Sequence, residues 1–165
     1  MIKIMGEARC PLTVYEQYTR SKEMKNCVYL CGGMEGFKEE EMKGWRAEAT
    51  EHLSMAGITT LDPTRRVHMH LHKGVRYEPN QCNRIVKQDL QDIGNSTVLL
   101  CDMREGQPGK RWGSMAEIAH AHTKNKIIIV WIDKEDQRHP FLEFYATEIY
   151  TDLEEALDAV TSYYE

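Results

Sequence analysis

From Cys27 to the C-terminus, short apolar runs alternate with longer stretches in which apolar residues recur every three or four positions. The runs Cys27 to Cys31, Ile58 to Leu61, Thr97 to Cys101, Ile127 to Ile132 and Thr147 to Tyr150 predict five strands, since their length and side chains suit a pleated ladder. Four of the five are nearly all apolar or β-branched, the pattern of strands covered on both faces. Between them, Met42, Trp45, Ala49 and Leu53 predict a helix with Gly57 as its stop. Ile85, Val86, Leu90 and Ile93 mark a second helix. A third starts near Ser114 and runs through Ile118 and Ala121, and a fourth uses Leu153, Leu157, Val160 and Tyr164 behind a Thr151 cap. Strand and helix alternating in this way imply right-handed crossovers, and so an α/β fold with a mainly parallel sheet and helices on both faces. Ligands of such sheets bind beyond the carboxyl ends of the strands, which directs attention to the residues that follow each run.

Composition narrows the class. At 165 residues the chain is expected to form one domain, residues 27 to 165, behind a polar, irregular extension of residues 1 to 26. Twenty-one basic residues against 26 acidic ones give a net charge of -5, which argues against a nucleic-acid polymer or an anionic membrane as partner. The longest apolar run, Ile127 to Ile132, is far too short to cross a bilayer, and no signal-peptide core is visible at the N-terminus. A cytoplasmic location is expected. Five cysteines without a CxxC pair fit a reducing compartment, where they are expected to be free and mostly buried thiols.

Three acidic residues stand out by position. Asp89 lies four residues after Ile85 and four before Ile93, on the apolar face of its own helix, where an unpaired charge costs several kcal/mol. Asp102 follows the apolar run Thr97 to Cys101. Glu117 is expected in the first turn of the next helix, within Gly113-Ser114-Met115-Ala116-Glu117, where the helix dipole would keep it ionised. The expected fold would gather all three at one crevice. Each also has a structural reading: Asp89 as a helix-packing carboxylate, Asp102 as a turn residue, and Glu117 as half of an S-x-x-E capping box with Ser114. The glycine turn Cys31-Gly32-Gly33-Met34-Glu35-Gly36 permits close backbone approach to a ligand but is neither a dinucleotide fingerprint nor a P-loop. His68, His70 and His72 alternate on one side of an extended segment, yet no acidic or thiol ligand lies at a suitable spacing, so no metal is expected there. Arg65, Arg66, Lys110 and Arg111 are loop cations whose default is solvent.

Taken as an ordered set, Tyr29-Leu30-Cys31-Gly32-Gly33, Leu61-Asp62-Pro63, Asp89-Leu90-x-x-Ile93, the strand ending at Asp102, and Gly113-x-x-x-Glu117-Ile118-x-x-Ala121 resemble the nucleoside 2-deoxyribosyltransferase family. The related nucleoside 5'-monophosphate N-glycosidases share the resemblance, which runs from about Cys27 to the C-terminus. It implies a flavodoxin-like three-layer sandwich with a five-stranded sheet, acting on a nucleoside or nucleotide and a free base, as a homodimer or larger homo-oligomer, with no cofactor. It further implies that Glu117 is the nucleophile attacking C1' of the sugar, that Tyr29 holds it, and that Asp89 handles the proton of the departing base. Asp102 is similar to the aspartate that binds sugar hydroxyls, with Gly32, Gly33, Gly113 and Ser114 around the substrate.

The residue types suit that chemistry. An oxocarbenium-like state is stabilised or trapped by one carboxylate while a second, neutral carboxyl protonates the leaving group. Transfer to a second base instead of water calls for a largely dry pocket, for which the polar loop Thr64 to Asn80 is a candidate lid. Glu35 after the glycine turn would repel a phosphate, and Trp112 precedes Gly113; both favour a nucleoside, while Lys110 and Arg111 keep a nucleotide open. Three readings follow: deoxyribosyl transfer first, nucleoside monophosphate hydrolysis second, and a non-catalytic nucleotide-binding module third.

Overall fold

A computed structural model describes residues 26–34, 38–66, 79–104, 111–134 and 138–165. The extension before Asn26, the histidines 68, 70 and 72, the greater part of the candidate lid, Glu35 and Lys110 lie outside the described residues. Five strands form one sheet: β1 (Cys27–Gly32), β2 (Thr59–Leu61), β3 (Val98–Asp102), β4 (Ile127–Trp131) and β5 (Glu148–Tyr150). Their order is β2-β1-β3-β4-β5, and all four pairings are parallel. This is the flavodoxin-like order, whose switch point lies between β1 and β3, where the chain leaves β1 to one side and returns on the other.

The helices are α1 (Glu39–Met55), α2 (Pro79–Asn95), α3 (Trp112–Thr123), α4 (Pro140–Tyr145) and α5 (Leu153–Ser162). Strand parity sorts the core into two layers. Val28, Leu30, Val98, Leu100 and Ile129 pack under Trp45, Ala49 and Leu53 of α1 and Leu157 and Val160 of α5. Tyr29, Cys31, Leu99, Cys101, Ile128 and Val130 pack under Ile93 of α2, Ile118 and Ala121 of α3, and Leu142 of α4. Every residue of β3 is buried, which is why that strand reads as an unbroken apolar run. Each such buried aliphatic side chain contributes about 1.5–3 kcal/mol of transfer free energy.

Gly57 ends α1 at φ +72°, a left-handed conformation that glycine adopts without a Cβ clash. Three expectations need correction. The last helix is capped by Asp152, whose Oδ1 accepts from Glu155 N at 3.1 Å, and not by Thr151. The third helix begins at Trp112, so Glu117 lies in its second turn and Ser114 is a buried residue inside it. No side chain caps that helix, and the Ser114–Glu117 capping box is not formed. Helix α4 was not expected from the pattern because its six residues are too few to show a period.

Candidate active site

Beneath α3, the Tyr29 hydroxyl donates to Glu117 Oε1 at 3.2 Å. Tyr29 is wholly buried on the α2/α3 face of β1, and the second turn of α3 carries Glu117 over it. Burial pushes the Glu117 carboxyl up to about 7, and the negative charge of Asp89 adds to this. Hydrogen bonds from Cys31 and Tyr29 and the positive charge of Arg46 act in the opposite sense. The helix dipole therefore does not keep Glu117 permanently ionised, contrary to expectation: the residue lies beyond the first turn, where that field has fallen off, and desolvation wins. Burial and the adjacent Glu117 also hold the Tyr29 phenol far above its ordinary range, so it is a donor at any working pH.

Asp89 projects from α2 and is 6% exposed. Its Oδ1 accepts from Arg66 Nη1 at 2.9 Å. Burial still raises Asp89 to about 6, the Arg66 charge offsetting part of that and the Asp92 charge adding to it. Asp92, one helical turn on, is bound by Arg65 Nη2 at 2.6 Å and also by Arg66 Nη2. Both arginines thus serve buried carboxylates, and the expectation of solvated loop charges is corrected. Two carboxyl groups, Asp89 and Glu117, feel each other's charge beside one buried tyrosine.

Asp102 stands apart from that pair. One residue past Cys101, it takes the opposite parity, on the face of Leu30, Leu100 and Trp45. Its carboxylate is chelated by Arg104: Oδ1 accepts from the backbone N at 3.1 Å and from Nε at 2.9 Å, and Oδ2 from Nη2 at 2.9 Å. The Arg104 guanidinium in turn lies 3.6 Å over the Trp131 ring. Asp102 is in register with Gly32 across the switch point. A Cβ at Gly32 would lie 3.0 Å from Arg46 Nη2, 3.1 Å from the Trp45 ring and 3.3 Å from Asp102 Cβ, so glycine is what fits there. Gly33 continues the turn, half-buried, whereas Gly113 is exposed, with open space where a Cβ would point.

Arg46 and Asp92 escaped the sequence reading. Arg46 is wholly buried and donates from Nη1 to Met42 O at 2.6 Å and from Nη2 to Gly32 O at 3.0 Å, while Nε lies 3.6 Å from Asp62. It holds the carbonyl at the start of the glycine turn. The signal was present: Arg46 follows Met42 by four residues and precedes Ala49 by three, placing a cation on the apolar stripe of α1 just as Asp89 lies on that of α2. Asp92 sits one turn beyond Asp89 on the same face. Among the described residues, no group of three His, Cys, Asp or Glu side chains is placed to hold a metal ion. An apolar cavity of about 590 Å³, lined by Trp112, Met115, Phe141, Leu142 and Tyr145 among others, opens between α3 and α4. Tyr29, Asp89 and Glu117 do not line it.

No family model and no curated relative matches the sequence. Solved structures do match. The 2-deoxyribosyltransferase of Bacillus psychrosaccharolyticus is 15% identical with a TM-score of 0.63, over 80% of this chain and 90% of that one. The fold is shared with that enzyme. The CMP N-glycosidase of Clostridium botulinum is 19% identical with a TM-score of 0.53, over 83% of this chain and 98% of that one. The molybdenum cofactor binding protein of Rippkaea orientalis, 11% identical with a TM-score of 0.56, covers 86% of this chain and 98% of its own length. One fold thus carries different ligands, and the choice among chemistries rests on the side chains at the switch point. No described helix is long and apolar enough to cross a membrane.

Proposed function

We propose that the chain is a nucleoside 2-deoxyribosyltransferase that works through a covalent glycosyl-Glu117. The observation that carries this reading is the Tyr29–Glu117 hydrogen bond at 3.2 Å beside the buried Asp89 carboxyl. Glu117, once ionised, attacks C1' of the sugar while the C1'–N bond to the base breaks. The electron pair of that bond goes to the base nitrogen, which takes the proton of Asp89. A second base then attacks C1' from the vacated side, the Glu117–C1' ester bond breaks, and the incoming N–H proton returns to Asp89. Both carboxyls are desolvated, as a carboxylate nucleophile and a neutral carboxyl donor require.

Tyr29 orients Glu117. Asp102, fixed by Arg104 at the end of β3, meets the sugar hydroxyls, and Gly32, Gly33, Gly113 and Ser114 shape the approach. Arg65 and Arg66 are engaged by Asp89 and Asp92, which favours a nucleoside over a 5'-monophosphate. The exposed Trp112, Phe141 and Phe144 support assembly into a homo-oligomer.

Incubation with a deoxynucleoside and a different free base, followed by chromatography, should give the exchanged nucleoside. A parallel incubation with 5'-monophosphates alone separates hydrolysis, which releases base and sugar phosphate with no acceptor present. Absence of exchange with every base pair tried would overturn the transferase reading. Nucleotide affinity retained by Glu117→Ala in a protein that never turns over would identify a binding module.

A further inference from the structure

We propose that Arg104 is a specificity-determining residue: by chelating Asp102 it leaves that carboxylate a single acceptor position for the substrate, which selects a 2'-deoxyribose over a ribose. The inference rests on the reading of Asp102 as the carboxylate that meets the sugar.

An ionised aspartate offers about four acceptor positions, two on each oxygen. The 2'- and 3'-hydroxyls of a ribose lie side by side, and a carboxylate meets such a pair by giving one oxygen to each. Asp102 is not free to do so. The backbone N and Nε of Arg104 fill Oδ1, and Nη2 takes one position on Oδ2. Among the described residues these are the donors that reach it, so one position on Oδ2 remains. The 3'-hydroxyl of a deoxyribose satisfies that position. A ribose brings its second hydroxyl to an oxygen already filled, in a place with little water to compensate, since the Asp102 side chain is only 7% exposed.

A neutral hydroxyl does not displace the arginine. Charge-assisted bonds are roughly twice as strong as neutral ones, and here they form a two-point fork. The guanidinium is also held from its other side, 3.6 Å over the Trp131 ring. Trp131 is itself fixed: it is the register partner of Asp102 on β4, its carbonyl accepts from Met103 N at 2.8 Å, and its ring meets that of Trp45 edge-on at 6.3 Å. The fork is thus set by β3, β4 and α1 before any ligand arrives. A lysine at this place would present one point charge and could not close both oxygens together.

The test is calorimetric binding of adenosine, guanosine, cytidine and uridine, each against its 2'-deoxy counterpart, to the full chain carrying Glu117→Gln, whose amide is not a nucleophile. For each base that binds, the deoxynucleoside should be held more tightly. Adding Arg104→Met, which keeps an apolar contact for Trp131 and removes every side-chain donor, should narrow the ratio of the two dissociation constants about tenfold, through tighter binding of the ribonucleoside. Arg104→Lys, which loses the fork, should narrow it by less. An unchanged ratio in Arg104→Met overturns the proposal, whether both affinities hold or both fall together, the second result marking a role in holding Asp102 and none in selection. Should Arg104→Met fail to fold, an unchanged ratio in Arg104→Lys overturns it instead, and so does binding of no nucleoside at all. Binding needs no turnover, so a wild type that exchanges no bases would count against the transferase reading while the ratio still gives its answer.

Discussion

Tyr29 and Glu117, 88 positions apart in sequence, meet at 3.2 Å because β1 lies directly under the second turn of α3. Tyr29→Phe keeps the ring and removes only the donor. A hydrogen bond to a charged group contributes about 1.5–3 kcal/mol, so kcat/KM should fall between roughly tenfold and a hundredfold. Steady-state kinetics checks this, and an unaltered kcat/KM would show that the tyrosine does not support the nucleophile.

The pH dependence follows from the pair. The reactive form has Glu117 ionised and Asp89 protonated, which is one proton on two coupled carboxyls titrating near 7 and 6. Below about 6 a second proton neutralises both, and above about 7 the pair loses its last one. A bell-shaped profile of kcat/KM with its maximum between these values is expected. A rate that climbs steadily to pH 9 would show that no carboxyl donates a proton.

Stability should run against pH over the same range. Folding raises the Glu117 carboxyl above its ordinary value of 4.5, so the folded state binds the proton more tightly than the unfolded chain. That contribution is complete below pH 4.5 and is lost as pH rises through about 7. The Glu117 contribution should therefore fall by on the order of 2 kcal/mol between pH 5 and pH 8, with Asp89, also raised on folding, adding in the same sense. Glu117→Gln, with nothing to ionise, should show a flatter curve and be the more stable protein at pH 8, a cost of function at this site. Urea melts at several pH values measure both slopes, and equal slopes would contradict the burial of Glu117.

Arg66 is 20% exposed at its side chain and bridges Asp89 and Asp92. Arg66→Ala leaves buried carboxylates without part of their counter-charge, which should cost about 2 kcal/mol, allowing for water reaching the pair. With the cation gone the Asp89 carboxyl rises further, so the limb of the activity profile near 6 should move to higher pH. Denaturant titration and the pH profile report the two effects independently.

Trp112 and Phe144 are 78% and 69% exposed at the α3–α4 side of the molecule. Large aromatics exposed near both ends of α3 mark a candidate contact surface. Sedimentation should find an oligomer, and Trp112→Glu with Phe144→Glu should shift it to monomer with the secondary structure intact. A monomeric wild type would remove this surface as an interface.

Much of the fold is readable along the chain for an identifiable reason. β3 and β4 are covered on both sides, so apolar runs mark them directly, and the α1 and α2 stripes are fixed by the same core. Helix ends were less legible. Thr151 and Asp152 are both good caps, and only the geometry at Glu155 chooses between them. Trp112 and Gly113 carry no capping signal, so the sequence points to a start near Ser114; the start at Trp112 sets Glu117 in the second turn, beyond the dipole's reach. Strand parity could have put Asp102 opposite Tyr29 and Cys31, but the register that pairs Gly32 with Asp102 is a long-range property that the sequence does not display. Arg46 was legible by the argument that found Asp89, a charge on an apolar helical stripe.

A covalent bond between Glu117 and a sugar is the step on which transfer depends. Rapid mixing with a deoxynucleoside in the absence of acceptor base, acid quenching and mass spectrometry of the proteolysed chain tests that bond directly. The expected result is one deoxyribosyl unit on the peptide that contains Glu117, appearing with release of free base and missing from Glu117→Gln. A sugar adduct on another residue, or base exchange that continues at the wild-type rate in Glu117→Gln, would contradict it.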